Sequence, residues 1–373
     1  MSATALLVAC GLLAGVLLVA RLRVPGAVAR AAVPSRSVSI VVPARDEEAQ
    51  LPVLLGSIAA STGRTVEVVV VDDGSTDRTS EVAAAGGARV IAAPPPPPGW
   101  AGKPWACHLG AGAAEGETLV FLDADTELGA GGLDRLLAAH DRLAGDGLLS
   151  VQPHHRAERA HEQLSAYPNV VAMMASGAFV PGPGRDVRVA FGPCLLTTAQ
   201  AYRRVGGHAT VAGEVVEDIH LARAYRRLEL PVRALAGGTA ITFRMYPAGL
   251  RQLAEGWVKN LSGGARLAAP VPTVGAAAWV AATAAVAVAL VEVASGAPSW
   301  SEVAWPAAGW AAVAAHLRSV LGRIGSFRWW AWAIFPVPLL AFVVLFAWSV
   351  VRRVVRRRVR WRGRDLDVAP TRP

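Results

Sequence analysis

Apolar and polar positions divide the chain into two apolar flanks around a patterned centre. Met1 to Ala20 carries no charged side chain, and Arg21, Arg23 and Arg30 follow it. Positive charge placed after the apolar stretch speaks against a cleavable signal peptide. Residues 1–20 are therefore expected to be a retained membrane anchor with its N-terminus outside. Val271 to Val291 gives 21 uncharged residues and Trp329 to Val351 gives 23, each enough for a span within the region 271–351. Pro336 and Pro338 are tolerable there if neighbouring helices satisfy the freed carbonyls. Val303 to Leu317 is shorter, holds Pro306 and His316, and is ambiguous between a span and an interfacial segment. Three spans with 303–317 in the interface keep the arginine-rich tail, 352–373, on the inside.

The centre, 36–265, reads differently. Ser37 to Pro43, Val66 to Val71 and Leu119 to Leu122 are short, β-branched or apolar runs, as expected for strands buried on both faces of a parallel sheet. Glu47 to Ala60 and Thr79 to Ala85 read as helices between them. This alternation predicts an α/β, Rossmann-like domain. Ligands in such sheets gather at the carboxyl ends of strands.

Composition supports that division. Hydrophobic residues make up 53% of the 373 and charged residues only 17%, too apolar for an ordinary soluble domain or a disordered chain. Cys10, Cys107 and Cys194 are too scattered for a disulfide scaffold. The net charge of +9 is local: the tail from Arg352 holds nine arginines and two aspartates, leaving 28 basic against 26 acidic residues elsewhere. A nucleic-acid surface would spread its charge over a folded face, so no nucleic-acid partner is expected. Only Lys103 and Lys259 are lysines, against 35 arginines, which singles both out.

Acids follow the apolar runs. The first leads into Pro43-Ala-Arg-Asp-Glu-Glu48, the second into Asp72-Asp-Gly-Ser-Thr-Asp77, the third into Asp123-Ala-Asp125. Asp72–Asp77 also reads as a turn in which Ser75 or Thr76 caps the next helix. At a bent strand end one carboxylate can hold a divalent ion while its neighbour bonds ribose or sugar hydroxyls. Carboxylate and phosphate oxygens suit Mg2+ or Mn2+. The Gly-Lys-Ser/Thr phosphate loop and the Gly-x-Gly-x-x-Gly turn are both missing, which disfavours a P-loop NTPase or a dinucleotide oxidoreductase.

The order Val-Pro-Ala-Arg-Asp-Glu-Glu, Val-Asp-Asp-Gly-Ser-Thr-Asp, Gly102-Lys103-Pro-Trp-Ala106, Phe-Leu-Asp-Ala-Asp and Val216-Glu217-Asp218-Ile219 resembles family 2 glycosyltransferases of the GT-A fold. Gly99 to Ala106, Arg244-Met-Tyr-Pro and Glu255-Gly-Trp-Val-Lys259 are similar to the membrane-anchored branch that glycosylates carotenoid acids, with hopanoid-associated members nearby. The resemblance implies an inverting, metal-dependent transfer of one sugar from a nucleotide-sugar donor, a UDP-sugar first, to a membrane lipid acceptor such as a carotenoid or other isoprenoid. It also implies a multi-pass protein of the inner membrane with a cytoplasmic GT-A domain. A polyprenyl-phosphate sugar synthase and a non-catalytic nucleotide-sugar-binding protein stand as alternatives.

By the same resemblance, Pro43, Ala44, Arg45, Glu47 and Asp73 hold the nucleotide, Asp123 bonds ribose or sugar hydroxyls, and Asp125 ligates Mg2+ or Mn2+. Lys103 neutralises diphosphate charge. Asp218 is the general base, and Glu217 orients it or contacts the acceptor. Arg244 and Lys259 are candidate anion contacts, and Trp257 is a candidate for the acceptor mouth or an interfacial anchor. Processive relatives carry Gln-x-x-Arg-Trp, but Gly256 precedes Trp257 here, which favours single transfer over polymer synthesis. His154-His155 reads as structural, and His220 as a candidate third metal ligand.

Overall fold

The computed structural model describes residues 3–27, 36–143, 146–182, 189–214, 216–267, 269–296, 300–356, 358–361 and 364–367. Arg30, Arg357, Arg362 and Arg372 of the sequence argument lie outside them.

The chain opens with α1 (Ala3–Leu18) and then alternates. In order come β1 (Val38–Ala44), α2 (Leu51–Ser61), β2 (Glu67–Asp72), α3 (Thr79–Ala85), β3 (Arg89–Ala92), α4 (Gly102–Ala113) and β4 (Thr118–Leu122). The three sequence-predicted strands thus fall on β1, β2 and β4. Strand β3 was missed, being four residues long with no buried residue. Residues 47–50, expected to open the first helix, form a turn before α2.

After β4 come β5 (Thr126–Leu128), α5 (Gly132–Asp141), β6 (Leu148–Gln152), β7 (His154–His155), α6 (Ala166–Ser176), β8 (Cys194–Thr198), α7 (Ala199–Arg204), α8 (Glu217–Arg227), β9 (Val232–Ala236) and β10 (Ile241–Phe243). Seven strands make one sheet in the order β3-β2-β1-β4-β8-β6-β9, and β5-β10-β7 make a smaller one. β1 runs parallel to both neighbours, with Ala44 opposite Asp72 and Val41 opposite Phe121. β8 runs antiparallel to β4 and pairs Cys194 with Leu122.

That register places the site. The carboxyl ends of β1, β2 and β4 and the start of β8 share one edge, so Pro43–Glu48, Asp72–Asp77, Asp123–Asp125 and Gly192–Pro193 converge there. Ile40, Val42, Val70 and Val120 pack under α2 and α5 on one face. Val41, Leu119 and Phe121 meet residues of α4, α7 and α8 on the other. Each such aliphatic side chain contributes about 1.5–3 kcal/mol by leaving water, which makes the edge a rigid platform.

The remaining helices are α9 (Leu250–Leu267), α10 (Pro270–Ser295), α11 (Trp300–Ile324), α12 (Trp329–Ala333) and α13 (Pro336–Arg356), and a short ribbon of β11 (Arg358–Trp361) and β12 (Arg364–Asp367) follows. Among the described residues, one helix, Pro270–Ser295, is long and apolar enough to cross a membrane. Two expectations change in detail. Residues 303–317 belong to a helix of 25 residues, longer than their apolar stretch because Trp300–Glu302 and Arg318–Ile324 extend it. The stretch 329–351 is interrupted at Ile334–Phe335, because Pro336, which has no backbone N–H, opens a new helix.

Candidate active site

The loops after β1 and β2 are laced together. The Asp46 N–H donates to Ser75 Oγ at 3.0 Å, and the Thr76 N–H donates to Asp46 Oδ1 at 2.8 Å. The Glu47 N–H donates to Thr79 Oγ1 at 2.8 Å, and the Glu48 N–H to Asp77 Oδ2 at 3.1 Å. Asp72 builds the turn itself, accepting from the Ser75 N–H at 2.8 Å and from the Ser80 hydroxyl. Burial works to raise its pKa, but these donors outweigh it and hold the carboxyl below its ordinary value. Asp77, rather than Ser75 or Thr76, accepts from the first N–H of α3, that of Thr79, at 3.0 Å.

Asp73 faces the other way. Its Oδ2 stands 3.8 Å from Arg45 Nη1, and a Cβ on Gly102 would collide with that oxygen. Glycine at 102 is therefore required for α4 to approach the end of β2. One residue on, α4 delivers Lys103 to the far side of the edge.

Lys103 is the centre of the site. Its Nζ lies 2.7 Å from Asp123 Oδ1 and 3.0 Å from Glu217 Oε1. Burial acts to lower its pKa, but the charges of Asp123 and Glu217 prevail and hold the ammonium well above its ordinary value. Asp218 closes the group. A Cβ on Gly192 would sit 3.2 Å from both Asp218 Oδ2 and Lys103 Nζ, so the absent side chain leaves room where the two meet. Asp218 Oδ1 accepts from the Ile219 N–H at 2.8 Å. Burial first, and the adjacent Glu217 charge second, push the Asp218 carboxyl up to about 7. Motifs 114 residues apart in sequence, Lys103 and Glu217, thus form one ion cluster at the end of β4.

Asp125 lies past the end of β4, half-exposed. Its charge, after burial, helps push the Tyr246 phenol above its ordinary range. Tyr246 has a backbone φ of 61°, which costs energy for a bulky side chain. It is held by the His161 ring, 3.0 Å from its carbonyl, and by Asn260 Nδ2, which donates to its hydroxyl at 3.2 Å. Its ring fills the space where a Gly256 Cβ would be. The residue that breaks the processive pattern is thus also the notch that seats Tyr246. The sequence gives Tyr246 no role, although the Arg244-Met-Tyr-Pro motif contains it, and offers for Gly192 only the signal of a glycine just before an apolar strand.

The remaining candidates lie outside the Lys103 cluster. Arg244 pairs with Glu162 at 2.9 Å and Glu158 at 2.8 Å, and Glu162 is fully buried. Trp257 is 3% exposed and donates from Nε1 to Ser165 Oγ at 2.9 Å, so it lies inside the protein rather than at a mouth. Lys259 stands on α9, beyond the exposed Arg251–Glu255 pair. His220 lies 3.3 Å from Glu214.

A mixed α/β sheet with acids gathered at the carboxyl ends of its parallel strands has the architecture of a GT-A type of fold. That fold is shared with a mannosyltransferase from Pyrobaculum calidifontis, solved in complex with GDP-Man and Mn2+. The TM-score is 0.54 at 20% identity, covering 93% of this chain and 97% of that one. By sequence, residues 39–187 match the model of glycosyl transferase family 2. The chain is 33% identical over 240 residues to a 4,4'-diaponeurosporenoate glycosyltransferase of Staphylococcus haemolyticus, covering 63% of this chain and 64% of the relative. It is 34% identical over 233 residues to the protein of the same name from Staphylococcus aureus, covering 62% of each. The match therefore spans a little under two thirds of these relatives.

Proposed function

We propose that this protein is an inverting glycosyltransferase that moves a single sugar from a nucleotide-sugar, a UDP-sugar first, to a lipid acceptor of carotenoid or related isoprenoid type. The observation that carries this reading is the contact of Lys103 with both Asp123 and Glu217, beside Asp218. It brings the acid that follows β4 and the base motif of α8 within one side chain of each other. An inverting displacement needs that arrangement: a donor held at the strand ends, one carboxylate near the acceptor, and no enzyme nucleophile.

In this reading Arg45, Glu47 and Asp73 hold the nucleoside and Asp123 the ribose or sugar hydroxyls. Asp125, half-exposed just past the end of β4, offers the hard carboxylate oxygen that Mg2+ or Mn2+ takes alongside substrate phosphates. Asp125 is the residue that would hold the ion, and the ion would neutralise charge on the leaving diphosphate. Asp218, with its raised pKa, accepts the acceptor's proton at neutral pH. Glu217 raises that pKa and is itself held by Lys103. The α/β domain works on the cytoplasmic face of the cell membrane, next to the lipid.

The test is direct. Purified protein in lipid nanodiscs receives UDP-glucose, a divalent cation and a carotenoid acid or alcohol, and glycosylated lipid is sought by mass spectrometry. One sugar per lipid with inverted anomeric configuration is expected. Transfer only to polyprenyl phosphate would replace the acceptor class. Donor binding with no transfer to any of these lipids would leave a binding protein and overturn the proposal.

A further inference from the structure

The membrane reading above leaves a conflict between two groups of arginines. If α11 crosses the bilayer after α10 and 329–351 crosses again, Arg318, Arg323 and Arg328 lie on one side and the arginine-rich tail on the other. We propose that α12 and α13 resolve it as a re-entrant hairpin. It enters the lipid leaflet next to the α/β domain, turns near the bilayer middle and returns to the same face. The inference rests on the membrane location proposed above and deepens it by naming the leaflet as this surface's partner.

Both feet of the hairpin stand on the α/β side. At the entry, the Ser326 N–H donates to the His155 carbonyl at 2.8 Å, and the Arg328 N–H donates to Gln163 Oε1 at 2.7 Å. At the exit, Leu345 packs with Tyr246, Leu253 and Trp257, and the Ser349 hydroxyl donates to the Val258 carbonyl at 3.2 Å. The tip lies elsewhere. The Trp310 indole N–H donates to the Ala333 carbonyl at 3.0 Å, and its ring sits 4.6 Å from that of Phe335.

Depth follows from α10 and α11. They run antiparallel, with Trp279 beside His316 at 5.9 Å and Gly309 against Val286. Trp310 precedes Arg318 by eight residues, about 12 Å of helix. That is close to half of a hydrocarbon core of about 30 Å. Non-helical backbone at such depth needs its polar groups satisfied by protein: the Ile334 N–H donates to the Trp330 carbonyl at 3.0 Å and Phe335 is fully buried, while the apolar Ile334 side chain is exposed. The outward side chains Val337, Leu340 and Val344 are exposed and apolar, as suits acyl chains.

Charge agrees. No lysine or arginine occurs from Leu267 to Leu317, while Glu292 and Glu302 do. Arg21 and Arg23 follow α1, and Arg318, Arg323, Arg328 and Arg352 mark the feet. The Arg352 guanidinium lies over Trp348 at 4.9 Å near the exit, an arrangement of an aromatic and cationic interface. A hairpin puts every one of these arginines, with the tail, on one face against anionic headgroups.

In a Cys10→Ser background, where the remaining Cys107 and Cys194 are buried, cysteines introduced one at a time at Ser295, Ser326, Ile334 and Asp367 are labelled with an impermeant maleimide on intact cells and on inverted vesicles, with the background protein as control. Ser295→Cys is expected to label from outside only, Ser326→Cys and Asp367→Cys from inside only, and Ile334→Cys only in detergent. Labelling of Ser326→Cys and Asp367→Cys from opposite faces means a continuous span and overturns the hairpin. Labelling of Ser295→Cys and Ser326→Cys from the same face means α11 does not cross, which overturns the hairpin and leaves 303–317 as an interfacial segment. A fusion after Pro373 checks the result without cysteines: a fluorescent GFP and an inactive alkaline phosphatase support the hairpin, and the reverse pair overturns it.

Discussion

Two acid clusters close the same edge of the sheet, and they are stabilised in opposite ways. Asp72 and Asp77 accept from backbone N–H groups and hydroxyls of their own turn. Asp123 and Glu217 come from distant segments and share the ammonium of Lys103, and Asp218 beside them is pushed up to about 7. Acids satisfied by local donors are building material for a loop. Acids balanced on one imported cation, with a neighbour that titrates near neutrality, are poised for chemistry. The sequence signature, aspartates after an apolar run, is the same for both.

Lys103→Met should separate the clusters most sharply. It removes the cation from Asp123 and Glu217 and leaves the Asp72 turn intact. Sugar transfer should fall by about 10³-fold, since the cluster acts as a unit. Lys103→Arg should recover part of the loss in kcat. A loss below tenfold would show that the cluster is only a resting ion pair.

Asp218→Asn comes next. General bases contribute about 10²–10⁴-fold, and a loss of that size is expected with a hydroxyl acceptor. With a carboxylate acceptor, already ionised at neutral pH, the loss should stay below about tenfold. The pH profile gives the sign. Below about 7 the Asp218 carboxyl holds its proton and cannot accept another, so kcat should rise with pH through that value. The limb should vanish in the Asn variant; its persistence would assign it to another group.

Gly256→Ala tests the notch. The added methyl meets the Tyr246 ring, and overpacking of this kind costs about 1–3 kcal/mol. A lowered melting temperature and weaker acceptor binding are expected, with donor binding unchanged. Ser80→Ala should do least. It removes one donor from Asp72 at a cost of about 1 kcal/mol with little change in activity. Because Asp72 titrates lower in the folded protein than its ordinary value of 3.8, its stabilisation is present above 3.8 and fades as pH falls through the folded value. The variant's deficit should therefore shrink in acid, and a deficit that grows there would contradict the assignment.

Much of the domain was legible because strands buried on both faces must be apolar throughout. That made β1, β2 and β4 stand out, whereas β3, without a buried residue, did not. The acids at the strand ends were legible for the same reason: they begin where burial stops. The roles of Arg244 and Trp257 were not. Their partners, Glu162 and Ser165, lie 82 and 92 residues away, and a sequence records no such distance.

The sequence by itself determined the alternation of the α/β block, the apolar flanks and the positions of the acids, because periodicity and burial are written residue by residue. Only the tertiary structure decided which acids meet Lys103, why a side chain at residue 102 or 256 would collide and one at 192 would be crowded, and where the stretch Trp329–Val351 is interrupted. Those outcomes depend on parallel pairing and on contacts between segments far apart. Local propensity leaves them open, and packing selects one.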